Sequence, residues 1–357
     1  MSGEQLSAQM PHGNVDPLSL EAATDVAARL HQMISSVIFG QDDLIMEALT
    51  ALIAGGHILL TGAPGLAKTT LVRVFARALG LSFGRIQFTP DLLPSDITGS
   101  EILNIDPETA KRSFEFSPGP VFTNLLLADE INRASPRTQS ALLESMQERA
   151  ATIAGKRHLL PKPFIVFATQ NPFESEGTFP LPEAQMDRFL IHSLVTYPSI
   201  DAERKMLMTH VAGELLGEKV QWDQNDEALS PSTVLSVMER ARKIPIDDAL
   251  VSAVNDLVRS SRPEDSSCPR NVKEALWYGA GPRAGISLIS ACRAYALITK
   301  SESVRWQHVI RMAKPVLRHR VRLAAHASRD GITEDQIIDI LIERIQSDRG
   351  NKSLGIS

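Results

Sequence analysis

The residues with the clearest chemical purpose are Gly62-Ala63-Pro64-Gly65-Leu66-Ala67-Lys68-Thr69, followed by Thr70. A short apolar run, 57–61, leads into them, and an amphipathic stretch over about 68–79 leads out. A glycine-rich turn between a strand and a helix offers backbone N–H groups to phosphate oxygens, and the helix N-terminus adds a favourable dipole. In that pattern Lys68 reaches the β- and γ-phosphates and the Thr69 hydroxyl ligates Mg²⁺. The strict octet has glycine where this chain has Ala67. A methyl is tolerated there when the backbone keeps a negative φ.

Two carboxylates form the second signal. The apolar run Leu125-Leu126-Leu127-Ala128 ends in Asp129-Glu130. A buried strand that ends this way places the acids beside the phosphate turn, where open α/β sheets bind ligands. Asp129 then holds Mg²⁺ through water, and Glu130 orients and deprotonates the attacking water. At the end of another apolar run, Thr169-Gln170-Asn171-Pro172 offers the Asn171 amide to the γ-phosphate or the lytic water. Arg188 stands just before the run 189–195, and Arg283 stands in Gly281-Pro282-Arg283-Ala284 at an expected helix start. A cation on a transferring phosphoryl group raises its rate by about 10³–10⁵.

The elements that must position these groups are legible in the hydrophobic pattern. Helical periodicity covers 21–36, 42–54, 68–79 and 138–149. Strand runs fall at 57–61, 84–88, 121–128, 164–169 and 189–195. Continuous apolar strands alternating with helices predict a parallel five-stranded sheet covered on both faces. Two segments interrupt that rhythm as insertions: a hairpin within 99–119 turning over 104–109, and a hairpin within 151–163 turning at Gly155-Lys156. The expected organisation is a flexible segment at 1–20, an α/β nucleotide-binding core at 21–198, a smaller all-α domain at 199–345 without strands, and a tail at 346–357.

Composition narrows the function classes. The 357 residues are 43% apolar and 22% charged with a net charge of −5, which fits a globular chain and not a surface built to hold nucleic acid. The basic stretch 301–330 lacks interleaved aromatic residues for base stacking. Cys268 and Cys292 have no metal-ligand spacing and make no disulfide framework, so a reducing, cytoplasmic location is expected. No basic leader or membrane span is read from the sequence; the uncharged run 48–67 is punctuated by Gly55, Gly56, Gly62, Pro64 and Gly65.

Taken together, these motifs resemble the AAA+ ATPases, and specifically the MoxR group. The stretches that carry the resemblance are 37–41 (Val-Ile-Phe-Gly-Gln), 62–69, 87–96, 128–134, 169–172, 176–185, 281–284 and 315–320. The resemblance implies a P-loop core with a helical lid, binding ATP and Mg²⁺ and assembling usually as a six-membered ring. It assigns Lys68 and Thr69 to Walker A, Asp129 and Glu130 to Walker B, Asn171 to sensor 1, Arg188 to the finger offered to a neighbour's ATP, and Arg283 to sensor 2. Gly40 and Gln41 fall where the family lines its adenine pocket. Ala at position 67 is frequent in the family, whereas Gly281 replaces its common serine. The resemblance also implies a partner with a von Willebrand factor A domain and an unnamed protein client that is remodelled, activated or matured, including by metal or cofactor insertion. The competing readings are a nucleic-acid motor related to replicative helicases and a nucleotide-dependent scaffold without turnover. The first lacks a domain's length before residue 37, and the second is at odds with the presence of both Glu130 and Arg188.

Overall fold

The computed structural model describes residues 17–63, 65, 66, 68–105, 112–172, 177–211 and 229–353. Its chain opens with helices α1 (Leu20–Ser35) and α2 (Asp42–Ala54), then strand β1 (His57–Gly62), helix α3 (Lys68–Ala78) and strand β2 (Phe83–Gln87). The short helix α4 (Pro94–Thr98) leads into a hairpin of β3 (Gly99–Ile105) and β4 (Arg112–Pro118). Strand β5 (Leu125–Asp129), helix α5 (Pro136–Glu148), a second hairpin of β6 (Ala150–Ile153) and β7 (Lys156–Leu159), and strand β8 (Ile165–Gln170) follow. The short helix α6 (Glu183–Met186) and strand β9 (Phe189–Val195) complete the α/β part.

The five long strands form one parallel sheet in the order β2-β5-β8-β1-β9. The order follows from burial. Strands β1, β5 and β8 are apolar at nearly every position, so they can only be interior strands with both faces covered. Their side chains divide by parity. Ile58, Leu60, Leu125, Leu127, Ile165 and Phe167 enter one core, under α1, α2 and α3. Leu59, Leu126, Ala128, Val166 and Ala168 enter the other, with Leu142, Leu143 and Met146 of α5. Strand β2 is fully buried only at Ile86 and takes an edge.

The remaining helices form the smaller domain: α7 (Ile200–Val211), α8 (Pro231–Arg242), α9 (Asp248–Ser260), α10 (Arg270–Ala275), α11 (Pro282–Ile298), α12 (Trp306–Leu317), α13 (Ala325–Arg329) and α14 (Glu334–Ser353). Its core is continuous with the first sheet face through α1 and α2. Among the described residues no helix is long and apolar enough to cross a membrane.

Several expected elements differ in detail. Strand β5 begins at Leu125, not at 121, because its neighbours β2 and β8 begin level with it, at Phe83 and Ile165. Residues 121–124 turn instead, with Asn124 tied to Ser82 and to the Pro163 carbonyl. The second hairpin turns at Ala154-Gly155, both at positive φ (47° and 78°), the left-handed pair that matches strand twist. The all-α domain contains a two-stranded pair, β10 (Leu276–Tyr278) with β11 (Arg322–Leu323), too short to leave a periodicity in sequence. Helix α14 extends into the stretch expected as a tail, to Ser353, and is broken at Gly350 (φ 67°). The loop of the first hairpin, Pro64, Ala67 and most of the N-terminal segment lie outside the described residues.

Candidate active site

The phosphate turn begins where β1 ends. Gly62 lies against β9 so closely that a Cβ there would sit 2.4 Å from the Val195 carbonyl oxygen. Gly65 has φ +81°, which a residue with a Cβ adopts only at a cost. Lys68 opens α3 and folds back to donate from Nζ to the Gly62 carbonyl at 2.7 Å. Burial lowers its pKa, and the charges of Asp129 and Glu130 act in the opposite direction. Thr69 and Thr70 follow it, half-buried.

The two acids arrive from β5, two strands away. Thr169 at the end of β8 organises both: its hydroxyl donates to Asp129 Oδ1 at 2.7 Å and accepts the Glu130 backbone N–H at 2.8 Å. Glu130 itself is left-handed (φ 54°, ψ 51°), a conformation that costs a non-glycine residue on the order of 1–3 kcal/mol. Its carboxylate accepts from Gln87 Nε2 at 2.8 Å and from Arg133 at 2.9 Å. Asp129 Oδ2 pairs with Arg85 at 2.8 Å. Asn171 is buried one residue beyond β8, which lies between the strand carrying the acids and the strand carrying the turn. Lys68, Asp129, Glu130 and Asn171 therefore converge at one end of the sheet, as the sequence predicts.

A cavity of about 420 Å³ adjoins the turn, lined by Gly65, Leu66 and Thr70 on one side and by Val37, Ile38, Phe39, Gln41, Tyr197 and Pro198 on the other. Gln41 Nε2 donates to the Thr196 carbonyl at 2.8 Å. Gly40 (φ +66°) packs against α7 so tightly that a Cβ would meet the Ala202 Cβ at 2.5 Å. The size and the apolar walls suit a purine ring. Glu203 and Met206 of α7 also line it; sequence reading missed them because they sit about 160 residues from Gln41 and carry no motif.

The two arginines lie elsewhere. Arg188 precedes β9, and β9 starts level with β1, so Arg188 is at the amino end of the sheet, five rises of about 3.3 Å from the phosphate turn. It lines a second cavity, of about 320 Å³, together with Gly55, His57, Arg149, Arg283 and Ile286. Arg283 pairs there with Asp187 at 3.0 Å, and the buried Arg320 holds the other oxygen of Asp187 at 2.7 Å. The Arg188 side chain has no ion-pair partner among the described residues. The structure thus brings Arg188 and Arg283 together but holds both away from the chain's own phosphate turn.

Comparison with known proteins agrees with this architecture. Residues 57–191 match the model of the ATPase family associated with various cellular activities, and residues 269–341 match the AAA lid domain. Chaperone MoxR1 of Mycobacterium tuberculosis is 40% identical over 94% of this chain and 86% of its own length. This chain belongs to the MoxR family of AAA+ ATPases. Protein MoxR of Paracoccus denitrificans is 32% identical over 82% of the chain and 87% of its own length. A crystal structure from Cytophaga hutchinsonii superposes with a TM-score of 0.82 at 36% identity, over 91% of this chain and 95% of that one. Membership implies nucleotide binding in the MoxR core.

The donor set fits Mg²⁺ delivered with a nucleotide. Asp129 and the Thr69 hydroxyl are hard oxygen donors beside the turn. Among the described residues no group of three His, Cys, Asp or Glu side chains could hold a metal unaided. Magnesium is commonly held this way, by one or two protein oxygens plus phosphate oxygens and water.

Proposed function

We propose that this MoxR protein hydrolyses ATP as a ring of six subunits, in which each site is completed by its neighbour, and uses the energy to remodel or mature a protein client.

 Asp129 and Thr69 would hold Mg²⁺ together with the nucleotide, and the cation would supply positive charge to the transferring phosphoryl group. Lys68 grips the oxygens of that group. Glu130 takes a proton from the attacking water, and Asn171 positions that water or the γ-phosphate. Arg188 and Arg283 serve the nucleotide of the adjacent subunit. A head-to-tail contact of this kind closes into a ring when the rotation allows. A partner with a von Willebrand factor A domain, and a client that receives a metal or cofactor, follow from the family reading.

One observation carries the proposal: Lys68, Asp129, Glu130 and Asn171 sit at one end of the sheet, and Arg188 and Arg283 at the other. A complementation experiment tests it. Arg188→Ala and Glu130→Gln are each expected to abolish turnover alone. Mixed one to one, they form some interfaces that pair an intact Glu130 with an intact Arg188, and a measurable fraction of ATPase activity returns. Mixtures as inactive as their components rule out action between subunits.

A further inference from the structure

Between Arg188 and Arg283 stands a third arginine. Arg320 follows α12 in the helical domain, and its side chain is only 2% exposed. A guanidinium buried this deeply must find acceptors for its N–H groups and a partner for its charge. It finds them on both sides of Arg188. Arg320 Nη2 donates to the carbonyls of Asp187 at 3.2 Å and Phe189 at 2.7 Å, the residues immediately before and after Arg188. The same nitrogen reaches Ser287 Oγ at 3.2 Å, and Nη1 donates to the carbonyls of Leu190, at 3.3 Å, and Val316. Arg320 Nε donates to Asp187 Oδ1 at 2.7 Å. The other oxygen, Oδ2, accepts from Arg283 Nη1 at 3.0 Å. One carboxylate from the sheet domain therefore joins two arginines of the helical domain, beside Arg188.

We propose that Arg320 and Asp187 are positioning residues that hold Arg188 and Arg283 as one rigid pair, so that both guanidiniums meet the neighbouring subunit's nucleotide together. The inference rests on the reading in which those two arginines act across the subunit contact. Arg320 fixes Arg188 through the backbone: both flanking carbonyls sit on one planar fork, so the peptides that carry Arg188 cannot pivot without stranding buried N–H groups. Asp187 fixes Arg283 through charge. It separates two guanidiniums that would otherwise repel, and without it Arg283 is pushed away from Arg320. Arg283 spends only Nη1 on Asp187. The rest of its fork can meet phosphoryl oxygens while that bond is kept. A tie that only joined the two domains would damage a subunit's own nucleotide site and its arginine pair alike. The positioning role confines the damage to what the subunit offers its neighbour.

The test is made on the full chain with Asp187→Asn, since that side chain is 30% exposed and the amide keeps its shape. Turnover is expected to fall on the order of 10²-fold, the cost of a small misplacement of a group that meets the phosphoryl. Affinity for a non-hydrolysable ATP analogue, read by calorimetry, is expected to be retained. Mixed one to one with Glu130→Gln, Asp187→Asn should regain activity, because some contacts then join an intact Glu130 to an intact arginine pair. Mixed with Arg188→Ala it should stay inactive, because neither subunit offers such a pair. Arg320→Lys keeps the charge but loses the planar fork, and is expected to show the same pattern of partners. Unaltered turnover in both variants, weakened binding of the analogue, no return with Glu130→Gln, or a return with Arg188→Ala each overturns the proposal. If Arg188→Ala and Glu130→Gln fail to complement each other, the division of the site between subunits falls and takes this proposal with it, a result seen without either new variant.

Discussion

Glu130 shows how much a single residue depends on its surroundings. Its left-handed backbone turns the side chain out of the strand direction, and Thr169 pins the strained peptide by accepting its N–H. Glutamine at this position keeps the shape and the hydrogen-bonding oxygen but cannot take a proton. For Glu130→Gln, turnover is expected to fall by about 10²–10⁴, while affinity for a non-hydrolysable ATP analogue changes by less than a few-fold; a parallel loss of binding would assign Glu130 to ligand binding instead. Lys68, Asp129, Glu130 and Asn171 were legible in sequence because each belongs to a short motif that carries its own local geometry. Thr169 was quoted within such a motif, yet its bridging role was not legible, because it depends on β8 pairing with β5. Arg85 and Gln87 were invisible for the same reason: their partners are set by the register of β2.

At the scale of elements, His57 ties the start of β1 to two neighbours. Its Nδ1 accepts the Val166 N–H at 3.0 Å, so Nε2 carries the proton toward the Met146 carbonyl at 3.3 Å. Burial, with a smaller contribution from Arg149, pushes its pKa down to about 3. Burial and Arg318 do the same to His192, whose Nε2 meets the Thr61 hydroxyl at 2.8 Å. An unfolded histidine titrates near 6.5. Below that pH the unfolded chain binds the extra protons, so stability is full above about pH 6.5 and declines as the pH falls toward 3. At pH 5 the loss is about 2 kcal/mol for each histidine. Buried Glu47, whose pKa is raised by desolvation, acts with the opposite sign: its contribution is full below the ordinary carboxylate range and is lost as the pH rises from there. In His57→Gln, denaturant unfolding should show a smaller drop in stability between pH 7.5 and pH 5 than in the unaltered chain. An equal drop would remove His57 from the account.

The hairpins make a second prediction at this scale. Phe116 of β4 stacks on His158 of β7 with ring centroids 4.1 Å apart and meets Phe122 edge-on at 5.2 Å. Lys156 and Glu101 add an exposed ion pair at 3.2 Å. The aromatic contacts dominate, because exposed pairs contribute little. Phe116→Ala should make the β3–β4 hairpin markedly more sensitive to limited proteolysis, with the α/β sheet unaffected; an unchanged cleavage pattern would show that the hairpins stand independently. Both hairpins were expected from turn residues and breaks in the helix–strand rhythm. Their mutual packing was not, since it joins side chains about 40 residues apart.

For the whole molecule, the proposed completion of each site by a neighbour would tie activity to assembly. Specific ATPase activity should fall on dilution as rings dissociate, and Arg188→Ala should lose activity without losing the folded monomer, as read by circular dichroism and sedimentation. Activity independent of concentration down to the monomeric state would contradict the proposed division of the site. The sequence by itself determined the phosphate turn, the acids that follow β5, the parallel α/β class and the helical second domain, because contiguous motifs and hydrophobic periodicity are local properties. Tertiary structure alone decided that Arg188 and Arg283 share a cavity far from Lys68, that α7 walls the apolar pocket, and that β2 supplies the groups holding the acids. Those facts depend on strand order and register, which arise from burying two opposite sheet faces at once and leave no trace in any one stretch of chain.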